Sequence, residues 1–127
     1  MAAAKSVNGR PICASDELIE GGGGVRFNIE RDGVSETAFV VRFRGRAYAY
    51  LNRCAHLAVE LDWQPGKFFD LSGLYLICAT HGALYAPESG HCLGGRCNGK
   101  PLVAVTVGES DGCVFLIEEG RERVGQQ

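Results

Sequence analysis

The sequence predicts a single all-β domain, built as an antiparallel sandwich or a small barrel. Three observations support this class: short runs alternate apolar and polar residues, turn residues separate these runs at regular intervals, and no long segment repeats its apolar residues at the helical period. The chain has 127 residues, which suits one domain, and its 18 glycines fall mostly between the apolar runs. Abundant glycine in turns is typical of a small β protein with many hairpins.

The predicted elements follow in order along the chain. A single helical turn is predicted over residues 15–20, and the four glycines 21–24 predict a turn. Extended segments are predicted at 25–29, 37–43, 47–51, 82–87, 101–107 and 113–117. Turn sequences lie between them at Arg31-Asp32-Gly33, Arg44-Gly45-Arg46, Glu88-Ser89-Gly90 and Glu109-Ser110-Asp111-Gly112. Within the second segment, alternation puts Thr37, Phe39, Val41 and Phe43 on one face.

Composition excludes several classes of function. The net charge is −2 without a basic excess, so nucleic acid is not an expected partner. No apolar run approaches the length of a membrane span or of a signal-peptide core, so we expect no membrane association and a cytoplasmic location. In such a compartment the six cysteines are expected to be metal ligands, buried thiols or redox groups rather than a disulfide framework.

Two short fragments carry the chemistry of the chain. Cys54-Ala-His56 and Cys78-Ala-Thr-His81 each join a thiolate to an imidazole, and each is predicted to lie in a loop at a strand end. Two cysteines and two histidines are a common ligand set for tetrahedral zinc. The same set holds a 2Fe–2S cluster in which two imidazoles replace two thiolates on one iron. Because each fragment has one ligand of each type, each can contribute to both irons, which favours the binuclear centre and leaves zinc as the alternative.

The spacing Cys54-x-His56 followed by Cys78-x-x-His81-Gly82 resembles the Rieske 2Fe–2S signature. The resemblance covers most of residues 10–118: residues 81–90 are similar to the stretch after the second ligand pair of Rieske ferredoxins, and residues 92–102 to the third loop that covers the cluster. It implies one Rieske domain over residues 1–127, with a cluster-binding subdomain at about 45–105 and frayed ends at 1–9 and 119–127. It also implies that Cys54 and Cys78 bind one iron and that His56 and His81 bind the other.

Departures from the family pattern bear on the reduction potential. Neutral imidazoles in place of two thiolates put Rieske centres at about −150 to +300 mV, against about −400 mV for plant-type ferredoxins. High-potential Rieske proteins have a serine where this chain has Ala83, a tyrosine that is kept here as Tyr85, and a disulfide whose positions are Val59 and Thr80 here. Lost hydrogen-bond donors to sulfur lower the potential, so we expect a value in the lower half of the Rieske range. The spacer between the two fragments is also longer than is common in the family.

The resemblance implies a soluble one-electron carrier that passes electrons between a reductase and a terminal acceptor such as an oxygenase, with these proteins as its redox partners. The sequence has no recognisable flavin, nicotinamide or mononuclear iron site, so we do not expect it to be an enzyme alone. Three alternatives stay open. These are a small Rieske subunit of a multicomponent oxygenase or nitrite-reductase-like complex, a redox sensor, and a zinc-binding module.

Other reactive or aromatic residues are interpreted more simply. His91 is expected to be solvated in a turn, and Cys13 and Cys113 to be core residues. Cys92 and Cys97 are expected to be free thiols in a reducing compartment, although their spacing allows a bridge. The spacer aromatics are expected to pin a long loop to the domain, with partner docking as the alternative; they are Trp63, Phe68 and Phe69. Arg96 and Lys100 are either ordinary surface charges or steer an acidic partner.

Overall fold

The structure is a computed structural model that describes residues 9–53, 60–62, 64, 66–78, 82–95 and 99–117. Its strands are β1 (Gly9–Ala14), β2 (Val25–Arg31), β3 (Val34–Phe43), β4 (Arg46–Leu51), β5 (Leu76–Cys78), β6 (Ala83–Tyr85), β7 (Cys92–Gly94), β8 (Ala104–Val105), β9 (Val107–Ser110) and β10 (Cys113–Ile117). One turn of 3₁₀ helix, Ser15–Glu17, lies within the predicted helical turn. The described ranges contain no helix long and apolar enough to cross a membrane. The prediction of an all-β fold is confirmed.

The strands form three antiparallel sheets, with the orders β9-β10-β1, β2-β3-β4-β8 and β5-β6-β7. Two features differ from the sequence prediction. The predicted strand 101–107 is divided, because β8 pairs with β4 while β9 pairs with β10 in another sheet. Residues 9–14 pair with β10, and Gly9 therefore lies in a strand rather than in a frayed end. The rest of the segments predicted to be frayed lies outside the described residues.

Three of the predicted turns are two-residue hairpins of one kind. Their central residues have positive φ angles, which are 54° and 79° at Asp32-Gly33, 51° and 80° at Arg44-Gly45, and 53° and 76° at Asp111-Gly112. Positive φ at both central positions is the type I′ turn, whose twist matches that of the flanking strands. Glycine at the second position meets this requirement without steric cost, so these turn sequences fix where β2, β4 and β10 meet their neighbours.

The four-stranded sheet is the middle layer of the molecule. One face of β3 buries Phe39, Val41 and Phe43 in a cluster that also contains Leu76 and Tyr85 of the small β5-β6-β7 sheet. The opposite face of the middle sheet packs onto the β9-β10-β1 sheet through two further clusters, whose buried members include Val40, Ala49 and Val114 in one and Ala38, Leu51 and Leu116 in the other. The predicted face of β3 is confirmed, but its second half is buried on both sides. The small sheet therefore rests on a rigid base.

An ion pair between Arg42 of β3 and Glu109 of β9 joins the middle sheet to the neighbouring sheet. The two terminal nitrogens of the Arg42 guanidinium each donate to one Glu109 carboxylate oxygen at 2.7 Å, and this hydrogen-bonded pair lowers the pKa of Glu109 to about 2. A lowered pKa means that the pair stabilises the fold above the unfolded pKa of about 4.3 and loses this effect as the pH falls towards 2. We expect Glu109→Gln to lower the free energy of unfolding by about 1 kcal/mol at pH 7, since the pair is partly exposed. Thermal unfolding from pH 7 to pH 2 would contradict this if the difference between the two proteins did not shrink in acid.

Candidate metal centre

The second Cys/His fragment lies on the hairpin that connects β5 to β6. Cys78 is the last residue of β5, is fully buried, and is paired with Ala83 across the hairpin. The Gly82 N–H donates to the Cys78 carbonyl at 2.8 Å, and the φ of Gly82 is +72°. This hydrogen bond closes the hairpin between Cys78 and Gly82. His81 itself lies outside the described residues.

The first fragment follows β4, which ends at Leu51 on the middle sheet. Cys54 and His56 lie outside the described residues, but the chain on both sides of them is described. Leu61, just after the fragment, is fully buried in the same cluster as Leu76 and Cys78. The fold therefore brings the chain that leaves the first loop into one core with the strand that ends at Cys78.

Two buried polar residues, Asn52 and Asp62, stand on either side of the first fragment. Asn52 is 4% exposed and Asp62 is 3% exposed, and their side chains are joined by a hydrogen bond of 2.8 Å. No pattern in the sequence singled them out as site residues. In the sequence each of them only follows a leucine, which is not a specific signal. Their burial, which makes each polar side chain need a partner, is visible only in the fold.

The third predicted loop, residues 92–102, packs against the hairpin that connects β5 to β6. β7 pairs with β6, and an added Cβ at Gly95 would lie 2.8 Å from the Ala83 Cα and 3.0 Å from the Gly82 carbonyl oxygen. The backbone at Gly95 is thus in direct contact with the backbone of Gly82 and Ala83. Cys92, in β7, is disulfide-bonded, so the expectation of a free thiol there is wrong. That expectation rested on the redox compartment, whereas the local geometry decides whether a cysteine is placed to pair. Cys97 lies outside the described residues.

The close approach at Gly95 can be tested against a second glycine of the same loop. Gly99 also has a positive φ, +76° against +84° at Gly95, but a Cβ there would have no atom within 4 Å. We expect Gly99→Ala to lower the free energy of unfolding by about 1 kcal/mol through backbone strain alone. Gly95→Ala adds a clash with backbone atoms that cannot move aside, so we expect about 2 kcal/mol more. Urea unfolding of both variants measures the difference. Equal decreases in the free energy of unfolding would mean that the third loop can move away from Gly82 and Ala83 without destabilising the protein.

The sequence matches the family model described as "Rieske [2Fe-2S] domain" over residues 9–115. The chain belongs to the Rieske family. Its cofactor is therefore a Rieske 2Fe–2S cluster, and this membership confirms the predicted electron-transfer class over the zinc-binding alternative. No curated protein sequence matches the chain.

Solved structures agree with the family in fold. The ferredoxin of carbazole 1,9a-dioxygenase from Nocardioides aromaticivorans IC177 matches with a TM-score of 0.66 and 22% identity, over 87% of this Rieske chain and 97% of the ferredoxin. The terminal oxygenase of carbazole 1,9a-dioxygenase from Novosphingobium sp. KA1 matches with a TM-score of 0.65 and 25% identity, over 87% of this chain and 29% of the oxygenase. The matching region is thus nearly the whole of the ferredoxin but less than a third of the oxygenase.

The described part of the Rieske site fits the cluster. Cys78 places a buried sulfur at the end of β5, where a thiolate ligand is shielded from water. Within the described ranges no three His, Cys, Asp or Glu side chains are grouped as a metal site, and three of the four predicted ligands lie outside these ranges. When bound, the cluster supplies a centre that gains and loses one electron.

The two residues predicted to tune the cluster lie in β6, next to this site. Ala83 and Tyr85 are both fully buried, and Tyr85 belongs to the main core cluster. The Tyr85 ring is therefore part of the core of the domain. A hydrogen bond from its hydroxyl group to a cysteine sulfur stays a prediction.

The remaining predicted residues take ordinary places in the Rieske fold. His91 and Lys100 are exposed. Phe68 and Phe69 are buried in the main core, which confirms the packing interpretation for these two spacer aromatics. Cys13 and Cys113 are partly buried in β1 and β10 rather than fully in the core. Burial raises the pKa of the Cys13 thiol to about 11, so this sulfur stays protonated at neutral pH. Trp63 and Arg96 lie outside the described residues.

Proposed function

We propose that this Rieske protein is a one-electron carrier that takes an electron from a reductase and passes it to a terminal acceptor such as an oxygenase. The observation that carries the proposal is the extent of the similarity, which spans 97% of a dioxygenase ferredoxin. A similar ferredoxin, 22% identical over 87% of this chain, has been solved in complex with the oxygenase of carbazole 1,9a-dioxygenase. In this proposal the chain acts by binding a protein acceptor, and catalysis belongs to that acceptor.

We propose that four residues hold the cluster, with Cys54 and Cys78 on one iron and His56 and His81 on the other. The buried position of Cys78 at the end of β5 supports this assignment, as does the short hairpin that follows it. In Rieske proteins the imidazole edges usually face solvent, and we propose them as the exit for the electron. The cluster-binding subdomain then spans about 45–105, and the carrier works in the cytoplasm.

The test combines metal analysis with EPR of the dithionite-reduced protein. The proposal expects two irons and two sulfides per chain, a Rieske-type signal, and uptake of one electron per chain in a reductive titration. Mixing the reduced protein with an oxidised Rieske oxygenase under anaerobic conditions should then transfer the electron within seconds. A protein that holds the cluster but reduces no acceptor of this class would overturn the carrier proposal, and a colourless protein with zinc would overturn the ligand assignment as well.

The Tyr85 hydroxyl gives a separate prediction on potential. If it donates to a cysteine sulfur, Tyr85→Phe leaves that sulfur more electron-rich and should lower the reduction potential by some tens of millivolts, on the order of 1 kcal/mol. The matched control is Tyr50→Phe, because Tyr50 is also a buried core tyrosine but its hydroxyl donates to the Pro87 carbonyl at 2.7 Å. Redox titration of both variants should show a shift for position 85 alone. Equal potentials in all three proteins would mean that the Tyr85 hydroxyl does not reach the cluster.

A further inference from the structure

A chain of hydrogen bonds closes the base of the loop that carries Cys54 and His56. The Asn52 side-chain oxygen accepts from the Leu61 N–H at 2.9 Å, across the whole of that loop. The Asn52 side-chain nitrogen donates to Asp62 Oδ1 at 2.8 Å, and Asp62 Oδ2 accepts from the Gly66 N–H at 2.9 Å. The direction of each hydrogen bond in this series is fixed, since the Asn52 amide both accepts and donates while the Asp62 carboxylate only accepts.

A cation from the middle sheet completes the arrangement. Arg26, in β2, places Nε 3.6 Å from Asp62 Oδ2 and a terminal nitrogen 2.6 Å from Glu60 Oε2. The Asp62 carboxylate is fully shielded from solvent. A buried carboxylate is tolerated only where donors and a cation compensate for its lost hydration, and here each of its oxygens accepts a hydrogen bond. The base of the loop is thereby fixed to the sheet.

We infer that Asn52 and Asp62 are positioning residues that hold the first ligand loop ready for the cluster; the inference rests on the proposed ligands Cys54 and His56. The bonded ends, Asn52 and Leu61, enclose both ligands, with Asn52 two positions before Cys54 in the sequence. A loop tied at both ends loses less conformational freedom when it binds a metal than a free one does. Residues that orient ligands in this way control how tightly a metal centre is held.

The direction of the hydrogen bonds allows a reciprocal test. Asn52→Asp sets two carboxylates against each other, and Asp62→Asn leaves either the Asn52 amide or the Gly66 N–H without an acceptor. Combining the two substitutions restores all three hydrogen bonds and reverses only the one between positions 52 and 62: the new carboxylate at position 52 accepts from the Leu61 N–H and from the new amide at position 62, whose oxygen accepts from the Gly66 N–H. The contact of Arg26 with a carboxylate at position 62 is not restored. The net charge of the chain is unchanged in the double variant.

The measurement is the rate at which the intact, cluster-loaded protein releases iron to a chelator, together with the visible circular dichroism of the cluster and its reduction potential. We expect each single variant to release iron about tenfold faster, with an altered dichroism spectrum, and the double variant to return to within about threefold of the original rate. Asp62→Asn also removes a negative charge, so its potential should rise. Glu109→Gln is the control, because it also removes one negative charge but weakens an ion pair between the middle sheet and β9, and it should leave the spectrum and the potential unchanged.

The outcomes separate this inference from the proposed function. If the unaltered protein holds the cluster but both single variants release iron at its rate, the inference alone is overturned. A double variant that is as stable to urea as the original protein but releases iron as fast as the single variants also overturns it, since the restored hydrogen bonds would then not control how the cluster is held. If the unaltered protein holds no cluster, the proposed function fails first and the inference fails with it.

Discussion

Cys78→Ser is expected to leave this Rieske protein without its cluster, lowering the iron content from about two atoms per chain to near zero. A thiolate is the form of cysteine that binds iron, whereas a serine hydroxyl stays protonated at neutral pH and is a poor ligand for a soft iron–sulfur centre. Cys78 is fully buried at the end of β5, so its sulfur is shielded from water. The checks are iron and sulfide analysis, the visible absorption of the purified protein and EPR after reduction.

The matched control is Cys113→Ser, which makes the same chemical change at a partly buried cysteine in β10 of another sheet. This control should keep its iron and its EPR signal. Far-ultraviolet circular dichroism should show that both variants keep their sheets, because burying one hydroxyl costs about 1–3 kcal/mol and does not by itself unfold a domain. A Cys78→Ser protein with two irons and an unaltered signal would remove Cys78 from the ligand set.

Features set by neighbouring residues were predictable from the sequence. The three type I′ hairpins are encoded by an Asp-Gly or Arg-Gly pair between alternating runs, since only a few residue types accept the backbone that such a turn needs. The Cys/His fragments were recognisable for the same reason, because ligand type and spacing are local properties. The buried face of β3 followed from simple alternation of its apolar side chains.

Features that depend on distant parts of the chain were not predictable. The division of 101–107 between two sheets depends on the pairing of β8 with β4 and of β9 with β10. Strand β1 contains Pro11 and has little alternation, and it is held by its pairing with β10. The partnership of Asn52 with Asp62 crosses a ligand loop, and neither residue alone predicts the other. The disulfide at Cys92 likewise depends on how its loop folds back.

Phe68 holds the long spacer against the core, so its truncation is expected to have a large effect on stability. Its ring is fully buried and stacks on Phe39 of β3, with centroids 4.0 Å apart and planes inclined by 10°. The Phe68 carbonyl accepts from the Ile77 N–H at 2.9 Å, next to the residue that ends β5. An added Cβ at Gly24 would lie 2.9 Å from the Phe68 ring, so one of the four consecutive glycines makes room for it. The spacer is therefore clamped between the middle sheet and the strand that ends at Cys78.

We expect Phe68→Ala to lower the free energy of unfolding by about 3–5 kcal/mol, because it leaves a cavity that the rigid middle sheet cannot fill. The control is Leu71→Ala in the same spacer, where the side chain is fully exposed, at 105% of its reference area, and the expected change is below about 0.5 kcal/mol. Urea unfolding followed by circular dichroism gives both values, and absorption of the cluster in the same samples shows whether it is lost together with the fold. Since the spacer connects the two ligand loops, we expect the cluster of Phe68→Ala to be lost at the same lowered urea concentration. If Phe68→Ala were as stable as Leu71→Ala, Phe68 would not be the residue that holds the spacer against the core.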